Sequence, residues 1–218
     1  MESRRHGEHM RLRSKGSRAR GSALVEFVLC CIVWVPLLLG TIFIGINVAR
    51  SIEVTQICRD SGHMYAYGVD FSQAGNQAIL VQLATGFYIT PTAGNGVFIL
   101  STVMLIGPQQ CQAGGLGPDS GSCPNLNDVV FTRRIVVGNQ SLRASNYGTP
   151  NPAYISANGS ISSTGYLTDA TMRVPGFPSS LNMTAGQGAY ISEAYFSAPD
   201  LNWNTFTTNQ GVYSSFVF

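Results

Sequence analysis

A long, strongly apolar stretch without charges, residues 27–49, sets the first limit on the fold of this chain. Its 23 residues read FVLCCIVWVPLLLGTIFIGINVA and include no Asp, Glu, Lys or Arg. As an α-helix they would be about 34 Å long, enough to cross the hydrocarbon core of a bilayer. A cleavable secretory signal has a shorter apolar core of about 7–15 residues. The sequence therefore predicts a single transmembrane helix over residues 22–49.

The charges are distributed unevenly around this predicted span. Residues 1–21 hold seven basic and two acidic side chains, whereas six basic and nine acidic side chains follow from Ser22 onward. The seven basic residues are Arg4, Arg5, Arg11, Arg13, Lys15, Arg18 and Arg20. The positive-inside rule predicts that residues 1–21 form a cytoplasmic leader and that the rest is exported. This interpretation is favoured over a nucleic-acid-binding arm, so no nucleic-acid partner is expected.

Two of the five cysteines indicate a disulfide. Cys111 and Cys123 enclose a loop rich in Gly, Pro and Ser in the exported part, where oxidation is permitted. A zinc site is disfavoured because neither cysteine has a CxxC partner and His63 lies far away in the sequence. Cys58 has no obvious partner and is predicted to be free or to pair between subunits. No metal and no cofactor are expected.

The helix is predicted to continue beyond the membrane as an amphipathic stalk. One face collects Val54, Ile57, Cys58, Ser61, Met64 and Tyr65, and the other collects Gln56, Arg59, Asp60 and His63. This spacing is typical of a helix that buries one face. Gly68 predicts a break, residues 70–72 an N-cap, and residues 78–84 a second, shorter helix. Residues 50–90 are thus assigned to a helical stalk and a second helix.

The remainder, residues 91–218, has the pattern of a β-rich domain. Short β-branched and aromatic runs alternate with Gly, Asn, Pro and Ser, which is typical of antiparallel strands and turns. The predicted strands are residues 97–106, 129–137, 189–197 and 212–218. Residues 142–188 are polar, and long loops of unassigned pairing are expected there. The predicted fold class is α+β, a long N-terminal helix followed by a small antiparallel domain.

A lone carboxylate, Glu26, lies at the start of the apolar stretch. An ionised group there is costly unless it is paired or reaches water. One interpretation is that Glu26 lies near the cytoplasmic interface and extends to solvent. The other takes account of its context: basic residues, then Gly21, then the segment SALVEF, then a long apolar run.

These residues resemble the prepilin signal of type IV-like pilins, with Gly21 and Glu26 at the characteristic spacing. The sequence GSALVEF at residues 21–27, followed by PLLLG at residues 36–40, is most similar to TadE-like pseudopilins of tight-adherence (Tad, or Flp) pili. Residues 59–66, RDSGHMYA, resemble the family's Arg-Glu-Gly-Ala-Arg-Tyr-Ala motif, with Ser61 inserted and His63 in place of a basic residue. Over the C-terminal half the resemblance is weak and is limited to residues 189–196.

The resemblance implies a minor pilin of the bacterial inner membrane that acts in pilus assembly and surface adhesion. A prepilin peptidase would cut between Gly21 and Ser22, and Glu26 would guide docking beside another subunit. The implied partners are the inner membrane, the prepilin peptidase, other pilins or pseudopilins, and the pilus platform proteins. The C-terminal domain would lie in the periplasm or on the cell surface within a pilus.

Two alternatives belong to other functional classes. The first is a membrane-anchored extracellular binding protein without a pilus role, whose Gly-, Asn- and Ser-rich loops contact a surface or a glycan. The second is a tethered hydrolase that uses carboxylates such as Asp169 and Glu193. A histidine-dependent triad would have to be built around His63 on the stalk, and no spacing in the sequence supports one. We therefore do not expect an enzyme.

Overall fold

The computed structural model describes residues 16–197 and 211–218, and for residues 16–20 it gives only the helical backbone. The seven basic side chains of the predicted leader lie outside this description. The chain divides into two compact units, Met1–Ile46 and Asn47–Phe218.

One helix, α1 (Gly16–Ala66), covers 51 residues and contains Pro36 without a break. In its first part the large apolar side chains are exposed, among them Leu24, Phe27, Trp34 and Ile44. The most apolar window of this helix has a mean hydropathy of 2.7, and none of it is buried by the described chain. Its length and composition make it a candidate membrane span, compatible with a single-pass membrane protein.

The part of α1 within the second unit has one buried face, as its spacing predicts. Val54, Ile57, Cys58, Ser61 and Tyr65 are buried, and the residues predicted for the opposite face are exposed or half-buried. The helix ends at Ala66, and the predicted break follows at Gly68, which has a φ of +91°. Such a φ favours glycine because it has no Cβ.

The second helix, α2 (Ala74–Leu83), begins earlier than predicted and is not capped by residues 70–72. Gln73 is the N-cap, and its side chain makes no capping hydrogen bond. Asp70 instead accepts hydrogen bonds from the backbone N–H and the hydroxyl of Ser72. The short polar side chain thus stabilises a turn before the helix rather than the helix itself.

Four antiparallel strands form one sheet in the order β2-β1-β3-β4. They are β1 (Gly96–Leu105), β2 (Val129–Gly138), β3 (Gly188–Ser197) and β4 (Gly211–Val217). Each lies within about one residue of its predicted range. A bulge between Thr102 and Val103 shifts the pairing of β1 with β2. The α+β fold class is therefore confirmed.

The sheet separates two apolar clusters because successive strand residues point to opposite faces. Along β3, Ala194 and Phe196 belong to the helix-side core, together with α1 and α2. Ala189 and Ile191 belong to the loop-side core. The helix-side core also contains Phe71, Leu80, Phe98, Leu100 and Ile135. The loop-side core also contains Val103, Ile106, Phe131, Leu167 and Met172.

The chain between the strands covers the loop side of the sheet. It includes α3 (Pro108–Ala113), α4 (Ser163–Thr168) and the 3₁₀ turns Pro152–Tyr154 and Ala170–Met172. The predicted disulfide is present between Cys111 and Cys123, with both residues buried in the loop-side core. Residues 142–188, predicted as long loops, pair with β2 only through the isolated bridges Val130–Arg173 and Arg133–Ser160.

Candidate functional site

The predicted processing residues Gly21 and Ser22 lie on exposed positions of α1. A Cβ added to Gly21 would meet no atom within 4 Å. The packing of the described chain therefore does not require glycine here. In a helix interior glycine is disfavoured relative to alanine by about 1 kcal/mol. Gly21 therefore lowers the stability of the helix, and no contact within the described chain offsets this loss.

Glu26, the predicted docking residue, lies one helical turn after Ser22 on the same side of α1. Its carboxylate is exposed, and the neighbouring apolar side chains of Leu24 and Phe27 are exposed by 66% and 69%. Among the described residues it has no ion pair and no hydrogen bond. Within the described chain Glu26 is thus a carboxyl group without a polar partner on an apolar helix surface.

In the second unit, α1 is joined to the sheet by a buried polar cluster of Cys58, Ser61 and Ser192. The Ser192 hydroxyl donates to the Cys58 carbonyl at 2.9 Å, and the Ser61 hydroxyl donates to the same carbonyl at 2.8 Å. The Cys58 thiol donates to the Ser192 carbonyl at 3.4 Å. Burial raises the pKa of this thiol to about 11. Within the described chain Cys58 forms no disulfide, and its buried thiol is protonated at neutral pH. Whether it pairs between subunits stays a prediction.

The segment that resembles the family motif, residues 59–66, packs against the sheet. A Cβ on Gly62 would lie 2.2 Å from a ring carbon of Phe218 and 2.9 Å from the Cβ of Ser192. The Tyr65 hydroxyl bonds to the Thr102 hydroxyl at 2.8 Å. The glycine and the aromatic residue of this segment thus have a packing role in this chain.

On the loop side of the sheet, Glu193 is a buried carboxylate with a full set of donors. It is 1% exposed and accepts hydrogen bonds from the Asn146 N–H at 2.8 Å, the Tyr213 hydroxyl at 2.7 Å and the Ser145 hydroxyl. Burial and the bond to Glu193 raise the pKa of Tyr213. Arg134 Nη1 lies 4.0 Å from Glu193 Oε2. This carboxylate therefore ties β3 and β4 to the loop that follows β2.

Two arginines approach the same region. Arg134 is 8% exposed, donates to the Gly148 carbonyl at 2.7 Å and lies over the Phe131 ring at 4.4 Å. Burial lowers its pKa to about 10, so the guanidinium stays charged at neutral pH. The Arg143 guanidinium lies 4.2 Å from the centre of the Tyr213 ring. Both arginines line a cavity of about 370 Å³ between the sheet and residues 140–155, hereafter the arginine cavity.

The carboxylates considered for a hydrolase have structural partners instead. Asp169 caps the 3₁₀ turn at Ala170–Met172 by accepting from the Thr171 N–H, and it also accepts from Asn151. No hydrogen bond joins Asp169 to Glu193 in the described chain. In residues 16–197 and 211–218 no group of three or more His, Cys, Asp or Glu side chains is placed to hold a metal ion.

Sequence reasoning missed the arginine cavity, although one signal for it was present. Arg133 and Arg134 are adjacent on β2, and neighbouring strand residues point to opposite faces. Arg133 pairs with Asp70 at 2.6 Å, while Arg134 points into the loop side. In a sheet covered on both faces, one arginine of such a pair has to be buried and needs partners. Arg143 lies in a loop and gave no such signal.

Comparisons of the chain with protein-family models, with curated protein sequences and with solved structures gave no match. The resemblance of residues 16–68 to TadE-like pseudopilins therefore stays a prediction.

Proposed function

We propose that this chain is a minor pilin of a Tad-like pilus, anchored by α1 and acting in pilus assembly and surface adhesion. The observation that carries the proposal is Glu26, an unpaired carboxylate on an exposed apolar helix surface. In hydrocarbon such a charge needs a counter-charge. The described chain does not provide one, so we expect it to come from processing or from a neighbouring subunit.

Cleavage between Gly21 and Ser22 would create that counter-charge. The new amine of Ser22 is positive, and Glu26 is the acidic residue of the first turns of the shortened helix. Within one helix the two groups would be about one turn apart, and between helices offset by one register step they would meet directly. Opposite charges interact far more strongly in a low-dielectric bundle than in water. The pair would therefore favour docking of this subunit beside another pilin.

The empty surroundings of Gly21 support the same proposal. Because an added Cβ would meet no atom of the described chain, the fold does not explain the glycine. A peptidase that accommodates the chain closely at this position would explain it. The prepilin peptidase would then cleave between residues 21 and 22 at the membrane, and neighbouring pilins would contact Glu26.

The test is assembly by a Glu26→Gln variant, which keeps the side-chain length and removes the charge. We expect Glu26→Gln to insert into the membrane at wild-type level and to lose co-purification with other pilus components. Glu53→Gln is the matched control because Glu53 is an exposed carboxylate of the same helix within the second unit. Normal co-purification of Glu26→Gln, or an equal loss in Glu53→Gln, would contradict the docking role.

Orientation is tested separately with a reporter fused after Phe218. The basic residues before the span predict that an enzyme active only outside the cytoplasm, such as a periplasmic phosphatase, will be active in this fusion. A reporter active only in the cytoplasm should be silent. The reverse pattern would overturn the proposed topology and with it the pilin role.

A membrane-anchored binding protein without a pilus role is the second candidate. The arginine cavity favours it, since ligand sites are concave and combine apolar walls with a few polar or charged groups that orient the ligand. The two candidates differ at the N-terminus. The pilin requires cleavage after Gly21, whereas a simple anchor keeps its leader.

A further inference from the structure

The arginine cavity has an unbalanced positive charge. Arg134 and Arg143 line it, and no acidic side chain of residues 21–197 or 211–218 does. Glu193 lies beside Arg134 and counters one of the two guanidinium charges. Among the described residues Arg143 has no acidic partner; it donates to Asn146 Oδ1 at 3.1 Å and lies over Tyr213. A bound anion would complete this charge balance beside buried Arg134 and half-buried Arg143.

Both arginines also retain unused hydrogen-bond donors. The Nε atoms of Arg134 and Arg143 are buried and have no hydrogen-bond partner. Buried polar groups in native proteins are almost always paired, so an orphaned donor requires an explanation. A guanidinium is a planar fork of donors that matches a carboxylate in a bidentate manner. With a rotation of either side chain, a carboxylate in the cavity would supply the missing acceptors.

The size and walls of the cavity indicate what carries the carboxylate. Its volume of about 370 Å³ is at the small end of ligand pockets, which suits one sugar or one amino-acid unit. Val136, Pro150 and Pro152 form apolar walls. Gln140, Ser141 and Thr149 add donors and acceptors between them. A sugar ring has an apolar C–H face, which can pack on the apolar walls, and several hydroxyl groups, which can bond to the polar side chains.

We propose that the arginine cavity binds a sugar acid, a uronic acid unit of an acidic glycan, through its carboxylate. Arg143 and Arg134 would hold the carboxylate, and the polar side chains of residues 140–149 would contact the ring hydroxyls. The site lies wholly within the second unit. It depends neither on processing after Gly21 nor on docking through Glu26, so it holds for either candidate function.

Binding to the full chain in lipid nanodiscs tests this proposal, with empty nanodiscs as the blank. Isothermal titration calorimetry would compare D-glucuronate and D-galacturonate with D-glucose, which has a similar ring and no carboxylate, and with N-acetylalanine, which has a carboxylate and no ring hydroxyls. We expect at least one uronate to bind at least tenfold more tightly than glucose and N-acetylalanine. Its affinity should fall as salt is added, because the contact is between charges.

Two variants locate the binding. Arg143→Gln removes a charge from a half-buried residue that lines the cavity, and we expect it to weaken uronate binding at least tenfold. Arg59→Gln removes the same charge from an exposed position of α1 and should leave binding unchanged. Equal binding of glucose and the uronates, the absence of binding by all four compounds, or uronate binding that survives Arg143→Gln would overturn the proposal. Tighter binding of N-acetylalanine would also overturn it, in favour of a peptide carboxylate.

Discussion

Residues 21–46 and residues 47–66 of α1 differ in how their isoleucine and glycine residues are packed. Ile44 is 64% exposed, whereas Ile57 is 6% exposed and packs in the helix-side core. The glycines differ in the same way. Gly21 and Gly45 would accept a Cβ without touching any atom, while Gly62 faces Phe218 at a distance that leaves no room for one.

This contrast separates two sources of constraint on the sequence. In residues 47–66 the identity of each buried residue is explained by the packing of the chain on itself. In residues 21–46 the described chain buries none of the apolar side chains, and the proposed membrane anchoring and subunit docking would account for them. Substitutions in the two stretches should therefore separate effects on stability from effects on assembly.

The largest expected difference is between Ile57→Ala and Ile44→Ala. Truncation of a buried isoleucine leaves a cavity and should lower the free energy of unfolding of the second unit by about 2–5 kcal/mol. The same change at exposed Ile44 should stay within about 0.5 kcal/mol. Urea unfolding of the full chain in detergent, followed by near-ultraviolet circular dichroism, measures both. Equal losses in the two variants would remove the distinction between the stretches.

Replacement of glycine by alanine should change the free energy of unfolding by a smaller amount, and in opposite directions at Gly62 and Gly45. Gly62→Ala places a methyl group against Phe218 and Ser192, and overpacking of this kind costs about 1–3 kcal/mol. Gly45→Ala meets no atom and should gain up to about 1 kcal/mol from helix propensity. A stabilising Gly62→Ala would show that the contact with the sheet is looser than described.

The smallest expected effect is a loss of stability at alkaline pH through Cys58. Its pKa is raised from 9.0 to about 11 by burial, so its contribution is complete below about pH 9 and is lost as the pH rises toward 11. At pH 9.5 the loss should be roughly 1 kcal/mol. Unfolding at pH 8 and pH 9.5 should show this loss in Cys30→Ala, whose thiol is exposed, and not in Cys58→Ala. An equal loss of stability between pH 8 and pH 9.5 in both variants would show that other groups cause the loss.

Local patterns were sufficient to predict much of this fold. The long uncharged run predicted the helix that is compatible with a membrane span, and β-branched runs between turn residues predicted all four strands. Each of these signals depends on neighbours in the sequence. The disulfide was predictable for a similar reason, because Cys111 and Cys123 enclose one flexible loop in a segment assigned to an oxidising compartment.

What could not be predicted depends on contacts between distant residues. The start of α2 was misplaced because Asp70 has two uses, an N-cap or a local turn, and the sequence does not decide between them. Beside the arginine cavity, Arg134 of β2 approaches Glu193 of β3 across β1, and that approach depends on the order of the strands. Neither β-propensity nor hydrophobic spacing contains the order of strands in a sheet.

Processing after Gly21 is tested by the intact mass of the mature chain, extracted from the membrane of a host with a matching prepilin peptidase. We expect wild-type protein and Gly45→Ala to begin at Ser22, and Gly21→Ala to remain a full-length precursor although its fold tolerates the methyl group. Wild-type protein that begins at Met1, or normal cleavage of Gly21→Ala, would contradict the claim that the first stretch of α1 is shaped by partners outside the chain.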